Sequence, residues 1–211
     1  MPYHLQFSEK MIGAFTFGET DYRKGYTSGL QRGGDLMFRL TISTSDVDAF
    51  VADPEHLGVA VGYVQSEVLG GRRPVETGAF NLFVDDGPHT RHMLYRLYFS
   101  DANDRPLTLA GFKNVRPGPI TSVWPETSTL YVRVLSGHVP VTDGGEASDA
   151  DVVGSGILRI RPLDFAWQLS TFRVHGPNRK GELRAFDAFG RLFLGELWQV
   201  FDPLRRGGRH A

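Results

Sequence analysis

The chain contains no cysteine. Disulfides, thiolate metal sites, iron–sulfur clusters and cysteine nucleophiles are therefore excluded together, and any chemistry must use oxygen and nitrogen groups. Charge of one sign is also lacking: the formal net charge is −1 over 211 residues, so no bulk field draws the protein to nucleic acid or to an anionic membrane. The basic tail of Arg205, Arg206 and Arg209 reads as a solvated terminus. Long apolar runs are missing as well. The opening "MPYHLQFSEKMIGAFTF" is broken by His4, Gln6, Glu9 and Lys10, so it has no signal-peptide core, and no segment is long enough to span a bilayer. The expectation is a soluble cytoplasmic protein, with no nucleic-acid partner and no membrane insertion.

Sequence motifs are equally sparse. "GLQRGGDL" has glycines but neither a P-loop lysine nor the strand-to-helix setting of a dinucleotide fold. There is no Gly-x-Ser-x-Gly nucleophile elbow and no His-Glu-x-x-His. His89 and His92 have a chelating spacing but straddle a turn and a strand start, and Asp46 and Asp48 lack the glycine and glutamate of a calcium loop. No metal and no cofactor is expected.

What is present is period-two alternation. In "DLMFRLTIS", Leu36, Phe38, Leu40 and Ile42 share one face, with Met37, Arg39 and Thr41 on the other. In "RHMLYRLYFS", Met93, Tyr95, Leu97 and Phe99 oppose a mixed row of His92, Leu94, Arg96 and Tyr98; "TLYVRVL" sets Leu130, Val132 and Val134 against Tyr131, Arg133 and Leu135. With "HLQFSEKMIGAFTFG", "LGVAVGYVQSEVL", "TGAFNLFV", "RPLTLAGF" and "DVVGSGILRIR", this gives about eight strands. Turns such as Asp85 to Pro88 and Asp101 to Asp104 separate them. Eight antiparallel strands remove their exposed edges by closing. The predicted fold is a single mainly-β domain over 1–211, an antiparallel calycin- or lipocalin-like barrel with two C-terminal α-helices at about 162–173 and 180–201.

Pro162 and Asp164 mark the start of the first of these helices, with Phe165, Leu169 and Phe172 facing the barrel. The second carries a packing stripe of Phe186, Phe189, Phe193, Leu197 and Val200, broadened by Leu192 and Phe201. A short helix over "SDVDAFVAD" has Ser45 as its cap. The glycine-rich stretch 18–34 and the acidic stretch 142–151 read as loops.

Candidate site residues lie in the strands. Glu67, Lys113 and Tyr95 are the candidate catalytic groups, the first two as acid or base, and Asn81, Tyr98, Tyr131 and Arg133 are substrate-binding candidates, with Trp124 as a core plug or a lid over a barrel mouth. If the mixed rows face inward, these groups line an apolar pocket: burial would shift the carboxyl and amine pKa values, and tyrosine or arginine would stabilise a developing enolate. Against this, charged residues alternating with apolar ones ordinarily mark a solvent face, which applies to Arg39, Arg96, Arg133, Arg159 and Arg161.

The phrases "FNLFVDDG", "LTLAGFKNV", "WPETSTLYVRVLSGHV", "GILRIRPLDFAWQLSTF" and "FGRLFLGELWQVF" together resemble the domain that accompanies glucose–methanol–choline flavin oxidoreductases of the cholesterol-oxidase type in bacterial multidomain proteins. The resemblance runs from about Phe7 to Phe201. It implies an affinity for steroid-like or other lipophilic molecules; without a dinucleotide fingerprint the oxidation chemistry does not carry over, and the accompanying domain has no established catalytic residues to transfer. By architecture alone, the chain also looks similar to lipocalin-like and allene-oxide-cyclase-like barrels that fold polyketides or fatty acids into rings without a cofactor. The leading expectation is a cofactor-independent cyclase or isomerase, pericyclase-like, in a polyketide or other specialised-metabolite pathway. The alternative is a non-catalytic carrier or accessory domain that holds a sterol-like or acyl ligand for a separate flavin oxidoreductase. A purely structural module would fill the barrel with side chains. The expected partner is a lipophilic small molecule, and a homodimer is compatible with the sequence.

Overall fold

The computed structural model describes residues 1–85, 90–115, 127–140 and 151–201. Eight antiparallel strands follow one another around a closed barrel: β1 (His4–Phe17), β2 (Asp35–Thr44), β3 (Leu57–Ser66), β5 (Thr77–Asp85), β6 (Arg91–Ser100), β7 (Pro106–Val115), β8 (Thr129–Ser136) and β9 (Val152–Arg159). Strand β1 is the seam. Its first ten paired residues run against β2, from Leu5 opposite Thr44 to Ala14 opposite Asp35, and its last six run against β9, from Ile12 opposite Arg159 to Phe17 opposite Gly154. Two short strands hang on this wall: β4 (Gly71–Pro74) pairs with β3, and β10 (Arg173–His175) pairs with the start of β1. The single mainly-β barrel expected from the alternation is the fold observed.

The apolar rows face the lumen. Leu36, Phe38, Leu40 and Ile42 of β2, Met93, Tyr95, Leu97 and Phe99 of β6, and Leu130, Val132 and Val134 of β8 are all buried in one continuous core. Pleating then sends the mixed rows outward. A bulge in β5 breaks the alternation, because the register with β6 shifts between Asn81 and Val84 while Phe83 takes a left-handed φ of 56°. Consecutive Leu82 and Phe83 are thereby both buried.

Helices cover part of the outside and one mouth. Helix α1 (Tyr22–Arg32) replaces the loop expected at 18–34. Asp21 caps it, its Oδ1 accepting from the backbone N–H of Arg23 at 3.0 Å and of Lys24 at 2.8 Å, and Gly33 ends it at φ 72°. The only residues it buries are Gly25 and Gly29, so it lies on the barrel by a smooth glycine face with no apolar stripe to announce it. Helix α2 (Val47–Ala52) is capped by Asp46, not by the expected Ser45; Asp46 Oδ1 accepts from the Ala49 N–H at 3.2 Å. Helix α3 (Pro162–Ser170) starts at Pro162 as expected and rests on the outer wall, with Lys10 3.8 Å from Asp164 and the Arg39 guanidinium over Trp167 at 4.7 Å. It stops three residues before the predicted end, freeing Arg173 to His175 to pair as β10. Leu169, expected to face the barrel, is instead 46% exposed. Helix α4 (Arg179–Phe201) delivers Phe189 and Phe193 to the core while Phe186 stays half exposed; Leu197, Val200 and the other side chains beyond Phe193 lie outside the described residues.

The glycine face of α1 gives a sign test. Replacing a solvent-facing helix glycine with alanine stabilises by about 1 kcal/mol. At Gly29 the added methyl would sit 2.5 Å from the Phe15 carbonyl oxygen, and at Gly25 it would meet the Ser155 carbonyl. Gly29→Ala and Gly25→Ala are therefore expected to lower the urea midpoint; a rise in either would show that α1 does not lie against β1 and β9.

Candidate functional site

Three polar side chains meet inside the barrel. Glu9 enters from the inward row of β1, between Phe7 and Met11. Lys113 enters from β7 and Tyr95 from β6. Lys113 Nζ donates to Glu9 Oε1 at 2.6 Å, and the Tyr95 hydroxyl donates to Glu9 Oε2 at 2.7 Å. The ammonium also lies 5.1 Å from the centre of the Tyr95 ring. The side chains of the ion pair are 4% and 3% exposed, and Tyr95 is 2% exposed. Strands β1 and β6 stand on opposite sides of the eight-strand circuit, so the tyrosine–glutamate bond spans the lumen.

Aromatic rings surround this cluster. The Tyr95 ring contacts Phe80 at 5.0 Å and Phe38 at 5.7 Å. Above it, Phe7 stacks on Phe172 at 4.6 Å, Phe172 meets Phe189 at 5.6 Å and Phe193 at 5.9 Å, and Phe83 meets Phe193 at 6.3 Å. These side chains come from β1, from α4, from the turn after α3 and from the bulge of β5, and they close the barrel mouth nearest the cluster. Burial drives the Tyr95 phenol well above its ordinary range, and the adjacent Glu9 carboxylate, through its charge and its hydrogen bond, pushes the same way.

Of the sequence candidates, Tyr95 and Lys113 meet; the others go elsewhere. Glu67 is not on a strand: it starts a short 3₁₀ turn (Glu67–Leu69) after β3 and is exposed. Asn81 faces outward and donates from Nδ2 to the Glu55 carbonyl at 3.0 Å. Tyr98 donates to the Val139 carbonyl at 3.0 Å. Tyr131 stacks on Phe112 at 5.3 Å and meets Tyr22 of α1, over whose ring the Arg133 guanidinium sits at 5.0 Å. These outward groups pack helices and loops onto the wall. Trp124 and His89 lie outside the described residues, and His92 packs beside Phe112 at 5.4 Å. Among the described residues no group of three or more metal-binding side chains occurs.

Glu9 was the missing member. The signal for it was a charged residue at an inward position of an otherwise apolar row, Leu5, Phe7, Glu9 and Met11; reading "SEK" as a polar interruption hid it.

A cleft of about 520 Å³ opens elsewhere, lined by Phe17, Asp101, Arg105, Pro106, Leu107, Ser136, Gly137 and Val153. Leu107 lies six residues back along β7 from Lys113, about 20 Å at the strand rise, so the cleft is at the other mouth. Its charged groups are committed to each other. Arg105 binds Asp101 through Nη2 at 2.6 Å and Nε at 2.8 Å, and the Asp101 carboxylate also accepts from the backbone N–H groups of Asn103 and Arg105. The Arg105 side-chain bond, with these backbone bonds, holds Asp101 below the usual carboxylate range. This is turn chemistry, and the cluster under the phenylalanine cap carries the reactive groups.

No protein-family model matches the sequence, and no curated protein or solved structure does so either. Among the described residues no helix is long and apolar enough to cross a membrane.

Breaking a buried ion pair from one side leaves an uncompensated charge, at a cost of about 3–5 kcal/mol. Lys113→Met is expected to lose stability on that scale in urea unfolding. Tyr95 gives an independent check with a defined sign. Its folded pKa is raised, so below the ordinary tyrosine value of about 10 the phenol is protonated in both states and its contribution to stability is fully present. As pH rises above that value the unfolded chain releases the proton first, and stability falls until the folded pKa is reached. Tyr95→Phe should flatten the alkaline limb of a pH–stability curve; an unchanged limb would place the titrating group elsewhere.

Proposed function

We propose that the protein is a cofactor-independent enzyme that moves protons on a lipophilic small molecule, in the manner of a cyclase or isomerase from a specialised-metabolite pathway such as polyketide biosynthesis. The observation that carries this reading is the Glu9–Tyr95–Lys113 cluster, buried across the lumen beneath an apolar cap. A buried ion pair is a poor device for stability alone, since apolar residues of similar volume commonly do as well or better. A carboxylate, an ammonium and a phenol held within hydrogen-bond reach in a water-poor interior are instead the groups that proton transfer next to a carbonyl requires.

The geometry supports a division of roles under this reading. Glu9 is the base, its Oε1 and Oε2 facing the two donors. Lys113 and Tyr95 supply hydrogen bonds to an oxygen on which negative charge develops. The apolar body of the substrate takes the place of cap side chains such as Phe172 and Phe189, which reach the mouth from outside the barrel wall. Rate then comes from orientation in a closed site and from groups already pointing at the reacting atoms.

A carrier for a sterol-like or acyl ligand, serving a separate flavin oxidoreductase, would share the cap and have no use for the ion pair. The two readings separate when the purified protein is incubated with a metabolite extract of the producing cell and the retained molecules are followed by mass spectrometry. The enzyme reading predicts a retained molecule whose retention time or fragmentation changes with time, and a Tyr95→Phe variant that still retains it unchanged. A ligand held unaltered by the wild type would favour the carrier. No retained ligand would count against both.

A further inference from the structure

Lys113 offers chemistry beyond proton transfer. The sequence has four lysines, and three of them, Lys10, Lys24 and Lys180, reach the surface. The side chain of Lys113 is 4% exposed, inside an apolar and aromatic interior. A primary amine in such a place is suited to covalent catalysis once its lone pair is free, and its surroundings supply the means. Glu9 Oε1, at 2.6 Å, stands where it can take a proton from the ammonium. Tyr95, donating to the other carboxylate oxygen at 2.7 Å, completes a hydrogen-bonded set in which the carboxylate accepts from both phenol and ammonium. Arg96, the other buried cationic side chain among the described residues, does not perform this reaction.

We infer that Lys113 is an imine-forming residue, and that the ligand of the barrel is a lipophilic aldehyde or ketone. The inference rests on the reading of the cluster as a chemical site and narrows its substrate class, and it exchanges the hydrogen bond from Lys113 to the substrate oxygen for a covalent bond to the carbonyl carbon. The step balances. Glu9 accepts one proton from the Lys113 ammonium, and the neutral nitrogen adds to the carbonyl carbon. The nitrogen then gives up a second hydrogen, the former carbonyl oxygen takes up two protons and leaves as water, and a C=N bond stands in place of C=O. A water-poor interior favours this condensation, and Glu9 together with Tyr95 carries the protons between nitrogen and departing oxygen. No oxidant, reductant or cofactor enters. Protonated, the imine withdraws electrons from the adjacent carbon, the activation that a cyclisation or double-bond shift needs.

The test uses decanal as the carbonyl probe and decanol as its unreactive counterpart on the intact wild-type protein. Decanal is added at equimolar ratio, borohydride reduces any imine, and peptide mass mapping locates the adduct, whose mass increment is that of the aldehyde less one oxygen. The expected result is an adduct on Lys113 that excess decanol suppresses, while any labelling of Lys24 and Lys180 is unaffected by decanol. Labelling confined to Lys10, Lys24, Lys180 or the terminal amine overturns the inference. Calorimetry with decanol separates the two levels: decanol binding without a Lys113 adduct removes the imine and leaves the lipophile site standing, whereas neither binding nor adduct removes both. Because the mapping is done on wild-type protein, the result does not depend on whether a Lys113 variant folds.

Discussion

The bond from Lys113 to Glu9 is the constraint around which the barrel is arranged. Two opposite charges sit where almost no water reaches, and each is tolerable only because the other is within 2.6 Å. Tyr95 occupies the remaining carboxylate oxygen from across the lumen, so a single polar contact set joins side chains of β1, β6 and β7 whose strands are held by their backbone ladders. One of these strands, β1, is also the seam that closes the barrel. Register along the seam therefore decides whether Glu9 meets its partners at all: a one-residue slip would turn it outward and leave Lys113 buried alone.

The rest of the molecule keeps that contact dry. Phe38, Leu97 and Phe99 pack the interior on the cleft side, and the rings of Phe7, Phe172, Phe189 and Phe193 close the other mouth. The two sides differ in construction. Toward the cleft the core is built of side chains on the strands themselves. The cap depends on α4 and the turn after α3, elements that cross the mouth without belonging to the wall. The cap thereby lays an apolar layer of rings directly over the buried Glu9–Tyr95–Lys113 cluster.

Much of this was legible in the sequence, because pleating makes burial periodic. Eight runs of alternating residues gave the strands to within a few positions, and the apolar rows of β2, β6 and β8 proved to be the lumen rows. Lys113 was found because it stands near the end of an otherwise apolar strand, whereas Tyr95 was chosen with the mixed-row groups and faces the lumen from the apolar row instead. The failures share a cause. Glu67, Tyr98, Tyr131 and Arg133 were chosen on the condition that the mixed rows face inward, and alternation tells that two faces differ without telling where a polar strand ends or what covers its outer face. Helix α1 was missed because its contact face is two glycines, which carry no hydropathy signal; the Cβ positions they leave empty are filled by the backbone of β1 and β9. Strand β10 is three residues long, too short for any periodicity. Glu9 was passed over because its partners lie 86 and 104 residues away along the chain, a pairing that only closure of the barrel creates.

The central claim is that the cluster is kept for chemistry, not as a plug. It is tested most directly by replacing all three members with apolar residues of similar size, Glu9→Met, Tyr95→Phe and Lys113→Met in one chain, and measuring the free energy of urea unfolding. The account predicts a folded barrel whose stability lies within about 1 kcal/mol of the wild type or above it, because no charge is left unpaired. A loss of more than about 3 kcal/mol, as large as breaking the pair from one side, would mean that the cluster is what holds the lumen together, and would contradict the account.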